Sequence, residues 1–238
     1  VYINGKEAGR WAYGYNAFRI DATKYLRKGE NTIIVHLNNR EESSRWYPGA
    51  GLYRPVRLVL TPEMRIDPWN VYIRTTRLDD DGATLSIDAK VDGWDSKKKL
   101  IAIAYGSADG QPEQTELTLD PLTGIAHAEL KWKKGKYSVW TPEQPVLIPL
   151  CIYTRNKGML QLLYTTKTAV RTISFSKEKG FQLNGVSRKI QGVCLHHDLG
   201  PLGAAENKAA LIRQIKQMKD MGADAIRTAH NMPSELFA

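Results

Sequence analysis

Gly192-Val193-Cys194-Leu195-His196-His197-Asp198 and Ala223-Asp224-Ala225-Ile226-Arg227-Thr228-Ala229-His230-Asn231 decide how this chain folds. Each is a short apolar run that ends in a polar cluster. Between them, Ala204 to Met221 sets Leu211, Ile215 and Met218 on one stripe and Arg213, Lys216 and Lys219 away from it, the pattern of a helix lying on a core. Gly222 is a natural helix stop. Strand, helix and strand in that order predict a right-handed βαβ unit with parallel strands. In α/β sheets and barrels, chemistry gathers at the carboxyl ends of such strands. Both polar clusters occupy that position.

With a side-chain period of two, Gly192, Cys194, His196 and Asp198 share one face of the first strand. Gln191, Val193, Leu195 and His197 share the other. Neighbouring strand residues diverge, so joint metal ligation by His196, His197 and Asp198 needs a bent backbone, and no third segment converges on them. No metal site is assigned. Cys194, two residues before His196, invites a Cys-His nucleophile reading, but a small buried strand residue is the expectation. Cys151 and Cys194 have neither CxxC spacing nor companion cysteines and are expected to be buried free thiols.

The 238-residue chain favours about two domains over one core. No apolar run is long enough to cross a membrane, and no membrane partner is expected. The net charge of +9 is spread along the sequence. Only Lys97-Lys98-Lys99 and the stretch from Lys131 to Lys136 cluster, without a basic stripe or a known module, and this excludes nucleic acid as the expected partner. Val1 enters in mid-strand and is not an initiator Met, so the true start is expected upstream. The sequence assigns no compartment, whether cytoplasm, periplasm or exterior.

Residues 1–62 read as about five strands with turns. Asn4-Gly5 is a type I′ hairpin signal, Ala17 to Ile20 alternates, Asp21 caps a brief turn ended by Gly29, and Thr32 to Leu37 and Leu52 to Leu60 follow as strands. A jelly roll uses roughly eight strands, so this is the later part of such a sandwich. Residues 63–174 hold short β runs near Val71–Thr75, Ala83–Val91, Leu100–Tyr105, Glu116–Leu119, Ala126–Trp132, Val146–Tyr153, Leu160–Tyr164 and Thr168–Phe175. That spacing suggests an immunoglobulin-like sandwich without the disulfide of antibody domains. Residues 175–238 open with a small hairpin at Phe181 to Gly185, run through a strand from Lys189 to Leu195, and end where Pro233 suits the first turn of another helix. The fold class is therefore multidomain β plus α/β.

Ser44-Arg45-Trp46-Tyr47-Pro48-Gly49-Ala50-Gly51-Leu52-Tyr53-Arg54 resembles the signature closing the sugar-binding sandwich of glycoside hydrolase family 2. Phe181-Gln182-Leu183-Asn184-Gly185 and Gly192 to Gly200 resemble that family's lead into its catalytic (β/α)8 barrel. Ala225 to Pro233 resembles its second barrel strand. The matches fall in register along essentially the whole chain, and the barrel start is most similar to that of bacterial β-galactosidases.

The resemblance implies a partial jelly roll, an immunoglobulin-like sandwich and the first βαβ unit of the barrel. It also implies a retaining glycosidase that cleaves terminal β-galactosides with two glutamates. Carboxyl groups about 5 Å apart leave no room for an inserted water and enforce double displacement. In the family the acid/base glutamate follows an Asn on a later strand, and the nucleophile comes later still. This sequence has no Asn-Glu dipeptide, so both glutamates are expected beyond Ala238 and the chain alone is expected to be inactive.

By the same resemblance, His196 and Asp198 line the terminal-sugar subsite, where imidazole and carboxylate can hydrogen-bond hydroxyls. Arg227 supports the nucleophile by favouring its charged form. His230 and Asn231 touch sugar or the catalytic carboxylate from the loop after the second strand. Arg45, Trp46 and Tyr47 sit in a sandwich loop that reaches toward the barrel mouth, where aromatic faces can stack on a pyranose or pack a domain interface. The interface is the expectation for Trp46, and Arg45 is a candidate sugar contact. No cofactor is visible, although some family members hold magnesium or sodium. The partner implied is a β-galactoside, with oligomeric state left open. A β-glucuronidase or β-mannosidase of the same architecture is the alternative, and a non-catalytic carbohydrate-binding or adhesion protein is the alternative from another class.

Overall fold

The structure, a computed structural model, describes residues 1–42, 50–106, 111–196 and 198–238. Two compact units divide it: residues 1–58 with 191–238, and residues 59–190.

In the first unit, β1 (Tyr2–Ile3) pairs antiparallel with β2 (Lys6–Glu7) and with β3 (Ile33–Ile34), in the order β2-β1-β3. Asn4 and Gly5 turn the hairpin with φ of 51° and 78°, a backbone region that Asn and Gly tolerate best. Asn4 also anchors the next turn: its Nδ2 donates to the Tyr25 carbonyl at 2.9 Å, and its Oδ1 accepts from Thr32 N at 3.0 Å. Asp21 accepts from Thr23 N at 2.9 Å and starts a single helical turn closed by Leu26 N donating to the Ala22 carbonyl. Two predicted strands are absent. Ala17 to Ile20 and Leu52 to Leu60 are irregular. Leu58, Val59 and Leu60 are 66%, 73% and 83% exposed, because no strand among the described residues pairs with them and an alternating pattern without a ladder partner does not fix a strand.

In the second unit, β4 (Arg65–Leu78), β5 (Gly82–Asp92), β6 (Lys99–Ala104), β7 (Glu113–Asp120), β8 (Ile125–Lys133), β9 (Ile148–Asn156) and β10 (Met159–Thr168) form one antiparallel sheet ordered β10-β9-β6-β7-β8-β5-β4. The sheet curls because β7 changes partner. Its Glu113 to Leu117 pair with β6, and its Thr118 to Asp120 pair with β8. The two halves thus face each other across one core, as in a β-sandwich. β8 alternates buried and exposed residues along its whole length, with Ala126, Ala128, Leu130 and Trp132 inside. Leu85, Ile87, Leu100, Leu130, Ile148, Leu150, Ile152 and Val170 are fully buried. The curl closes where Arg171 N donates to Thr75 Oγ1 at 3.1 Å.

A small sheet follows in the same unit, β11 (Ile173–Ser176), β12 (Gly180–Leu183) and β13 (Val186–Ser187). Asn184 ties it down: Oδ1 accepts from Thr172 N at 3.0 Å, and Nδ2 donates to the Trp140 carbonyl at 3.0 Å. Arg188 forms a forked pair with Glu143, with N–O distances of 2.5 and 3.3 Å. That guanidinium holds the Glu143 carboxyl down to about 2.

The rest of the first unit is a βαβ unit. β14 (Gly192–Leu195) and β15 (Ala225–Thr228) are parallel, Cys194 paired with Arg227 and Leu195 with Thr228. The helix between them, α1 (Lys208–Asp220), begins later than Ala204, because Gly200–Leu202 form a 3-10 turn and the Asn207 side chain accepts from Ala210 N at 3.1 Å to cap the true start. Leu211, Ile215 and Met218 are half-buried, whereas Arg213, Lys216 and Lys219 are exposed. At its end, Gly222 takes φ of 95°, Gly222 N donates to the Lys219 carbonyl, and Ala223 N donates to the Met218 carbonyl at 3.0 Å, a Schellman stop. The first strand is also shorter than the predicted Lys189 to Leu195. The following turn is capped by Ser234 rather than begun at Pro233, with Phe237 N donating to Ser234 Oγ at 3.2 Å.

Candidate functional site

The two parallel strands deliver their polar clusters side by side. Asp224 sets the register: its Oδ1 accepts from Gln191 N at 2.7 Å, and its N donates to the Gln191 carbonyl at 2.9 Å. The ladder continues past the strand ends, where Ala229 N donates to the Leu195 carbonyl at 2.8 Å. His196 and His230, each leaving its strand at that level, meet edge to face with ring centroids 5.7 Å apart. Arg227 Nη2 lies 3.1 Å from His230 Nδ1. A guanidinium only donates, so Nδ1 accepts and a neutral His230 ring carries its proton on Nε2. The Ala229–His230 peptide is cis.

Asp198 lies at the turn after β14. Its Oδ1 accepts from Gly200 N at 2.6 Å and its carbonyl accepts from Gln214 Nε2 at 3.0 Å, fastening the loop to α1. His196, Asp198 and Asn231 line one cavity of about 80 Å³, together with Tyr53, Arg54 and Glu206. Burial pushes the Tyr53 phenol above its ordinary value, and Tyr15, Tyr13 and Glu206 add to the rise against the opposing charge of Arg54.

Cys194 departs from expectation. It is exposed, with Arg227 Nη1 3.7 Å from its Sγ, because no described element covers the face it shares with Gly192 and His196. Cys151 is half-buried. Arg45, with Trp46 and Tyr47, and His197 fall outside the described residues. Among the described residues no three His, Cys, Asp or Glu side chains stand together as a metal-binding group.

Residues 1–58 also contribute to this site, which no local sequence pattern records. The Tyr13 hydroxyl donates to Asn231 Oδ1, and Arg54 Nη2 donates to the Met232 carbonyl at 2.8 Å. Glu235 pairs with Arg57 at 3.2 Å and with Arg19 at 3.9 Å. The loop carrying His230 and Asn231 is thus held from outside the βαβ unit. The aromatic-Gly-aromatic run Tyr13-Gly14-Tyr15 was the one available hint.

Chemically, the cavity offers one imidazole (His196), two carboxylates (Asp198 and Glu206), the amides of Asn231 and Gln214 and the Arg54 guanidinium among apolar side chains, a set that can hydrogen-bond hydroxyl groups.

No family model matches the chain. The chain is 33% identical over 240 residues to the β-galactosidase BoGH2A of Bacteroides ovatus, a match covering 98% of this chain and 28% of that protein. A solved glycosyl hydrolase family 2 member from Bacteroides cellulosilyticus superposes with a TM-score of 0.83 at 27% identity, covering 99% of this chain and 31% of that one. The β-glucuronidase of Bacteroides uniformis does so with a TM-score of 0.79 at 29% identity, covering 99% of this chain and 30% of that one. The chain spans about a quarter to a third of the length of the curated relatives it matches. With sequence likeness and fold likeness both running from one end of it to the other, the chain belongs to glycoside hydrolase family 2.

Proposed function

We propose that this chain forms one wall of the sugar site of a retaining β-galactosidase. The supporting observation is that His196, Arg227 and His230 emerge together at the carboxyl ends of two adjacent parallel strands. On this reading β14, α1 and β15 are the first βαβ unit of a (β/α)8 barrel, whose chemistry belongs at that end. Residues 1–62 serve as part of a sugar-binding jelly roll and residues 63–174 as an immunoglobulin-like spacer.

On this reading the full-length polypeptide supplies the two glutamates of the double displacement, since the Asn-Glu pair to which the family's acid/base residue belongs does not occur in this sequence. One protonates the leaving oxygen, and the other attacks the anomeric carbon to give a glycosyl-enzyme that water then cleaves. Arg227 keeps the nucleophile ionised through its fixed positive charge. His196, Asp198, His230 and Asn231 hold the hydroxyls of the terminal sugar, and Arg45 contributes from the sandwich loop.

A β-glucuronide is the second reading, motivated by the likeness to the Bacteroides uniformis enzyme. The cavity argues for the galactoside. Asp198 and Glu206 both line it, and two carboxylates disfavour a third on the substrate. The test is hydrolysis of nitrophenyl β-galactoside and nitrophenyl β-glucuronide by the full-length polypeptide carrying this sequence. A kcat/KM at least about tenfold higher for the galactoside supports the reading, and the reverse order assigns the glucuronide.

A further inference from the structure

We propose that Tyr13 is a positioning residue for the sugar site, acting through Asn231. This inference rests on the glycosidase reading above. Asn231 carries one acceptor and one donor end. The acceptor end is occupied, because Oδ1 receives the Tyr13 hydroxyl proton. The donor end, Nδ2, is buried and has no hydrogen-bond partner among the described residues. Asn231 itself lines the cavity shared with His196 and Asp198.

A buried amide N–H without an acceptor is costly, and a bound group that supplies the acceptor removes the cost. Tyr13 decides which end of the amide has to find that group. With Oδ1 engaged, Asn231 asks its ligand for a hydrogen-bond acceptor, the hydroxyl or ring oxygen of a sugar. Without the phenol, the carboxamide can turn over and present Oδ1 instead, reversing the demand. Tyr13 is 48% exposed and does not line the cavity, so it acts on the ligand through the amide rather than by contact.

The experiment is a double-mutant cycle in the full-length polypeptide, comparing Tyr13→Phe, Asn231→Ala and the pair. Steady-state kinetics are measured on nitrophenyl β-galactoside and unfolding midpoints by thermal scan. Tyr13→Phe keeps the ring and removes only the donor. It is expected to raise KM about tenfold with kcat within about twofold, the mark of lost binding shared by ground and transition states. In the Asn231→Ala background the same change is expected to add nothing. An unchanged KM for Tyr13→Phe, or effects that add fully in the double variant, overturns the inference. If the wild type cleaves no glycoside, the glycosidase reading fails on its own. The Tyr13–Asn231 link is then judged from the midpoints, where full additivity overturns it.

Discussion

Arg227 and His230 are joined across the turn that follows β15, with Nη2 3.1 Å from Nδ1. One guanidinium therefore does two things at once. It fixes the tautomer of the imidazole beside it, and it sets a permanent positive charge at the rim formed by the ends of β14 and β15.

The first prediction concerns that charge. In the full-length polypeptide, Arg227→Ala is expected to lower kcat about 100-fold or more, the usual scale for removing a fixed electrostatic partner of the reacting groups. Arg227→Lys keeps the charge but not the fork, and is expected to recover part of the loss. The acidic limb of the kcat/KM profile should move up in pH in the Ala variant, since a carboxylate that loses its cation becomes harder to ionise. Unchanged kcat in Arg227→Ala removes the role proposed for it.

A second prediction follows from the Glu143–Arg188 pair. Its guanidinium lowers the Glu143 carboxyl from 4.5 to about 2. A depressed carboxyl contributes stability that is present above the unfolded value and is lost as pH falls through the folded one. The difference in unfolding midpoint between wild type and Glu143→Gln should therefore be constant above about pH 5 and close between about pH 4.5 and 2. Because both groups meet solvent, the difference is expected to be small and to shrink with added salt. A difference that grows on acidification contradicts the assignment.

The third prediction tests the helix stop. Gly222 sits at φ of 95°, where a side chain is strained. Gly222→Ala is expected to cost about 1 to 2 kcal/mol in denaturant unfolding. Lys216→Ala, on the exposed face, should stay within about 0.5 kcal/mol. Equal costs for the two would mean that the left-handed residue does not hold the strand after α1 in place.

Much of this architecture is legible from sequence where the signal is local. Asn4-Gly5 announces its hairpin, the run from Ala126 to Trp132 announces β8, and the stripe Leu211, Ile215, Met218 announces α1. What fails is what depends on a partner. Leu52 to Leu60 reads as a strand, yet a strand exists only with a ladder to join, and none of the described strands meets it. The apolar periodicity places the start of α1 too early, because the Asn207 side chain decides it. Cys194 looked buried by residue type, but the face it shares with His196 is uncovered.

The candidate site divides the same way. Its strand-borne residues could be named from the two polar clusters, since each follows its own apolar run. Tyr13 could not, because it meets Asn231 across a separation of 218 residues, and no local pattern records such a contact.

The most direct test of the whole account is the stereochemistry of the first product. The full-length polypeptide is mixed with nitrophenyl β-galactoside in deuterated buffer, and the anomeric proton of the released sugar is followed by NMR before mutarotation. β-Galactose is expected as the first-formed anomer, the outcome of two displacements at one carbon. Release of the α-anomer, or no release of galactose at all, would contradict it.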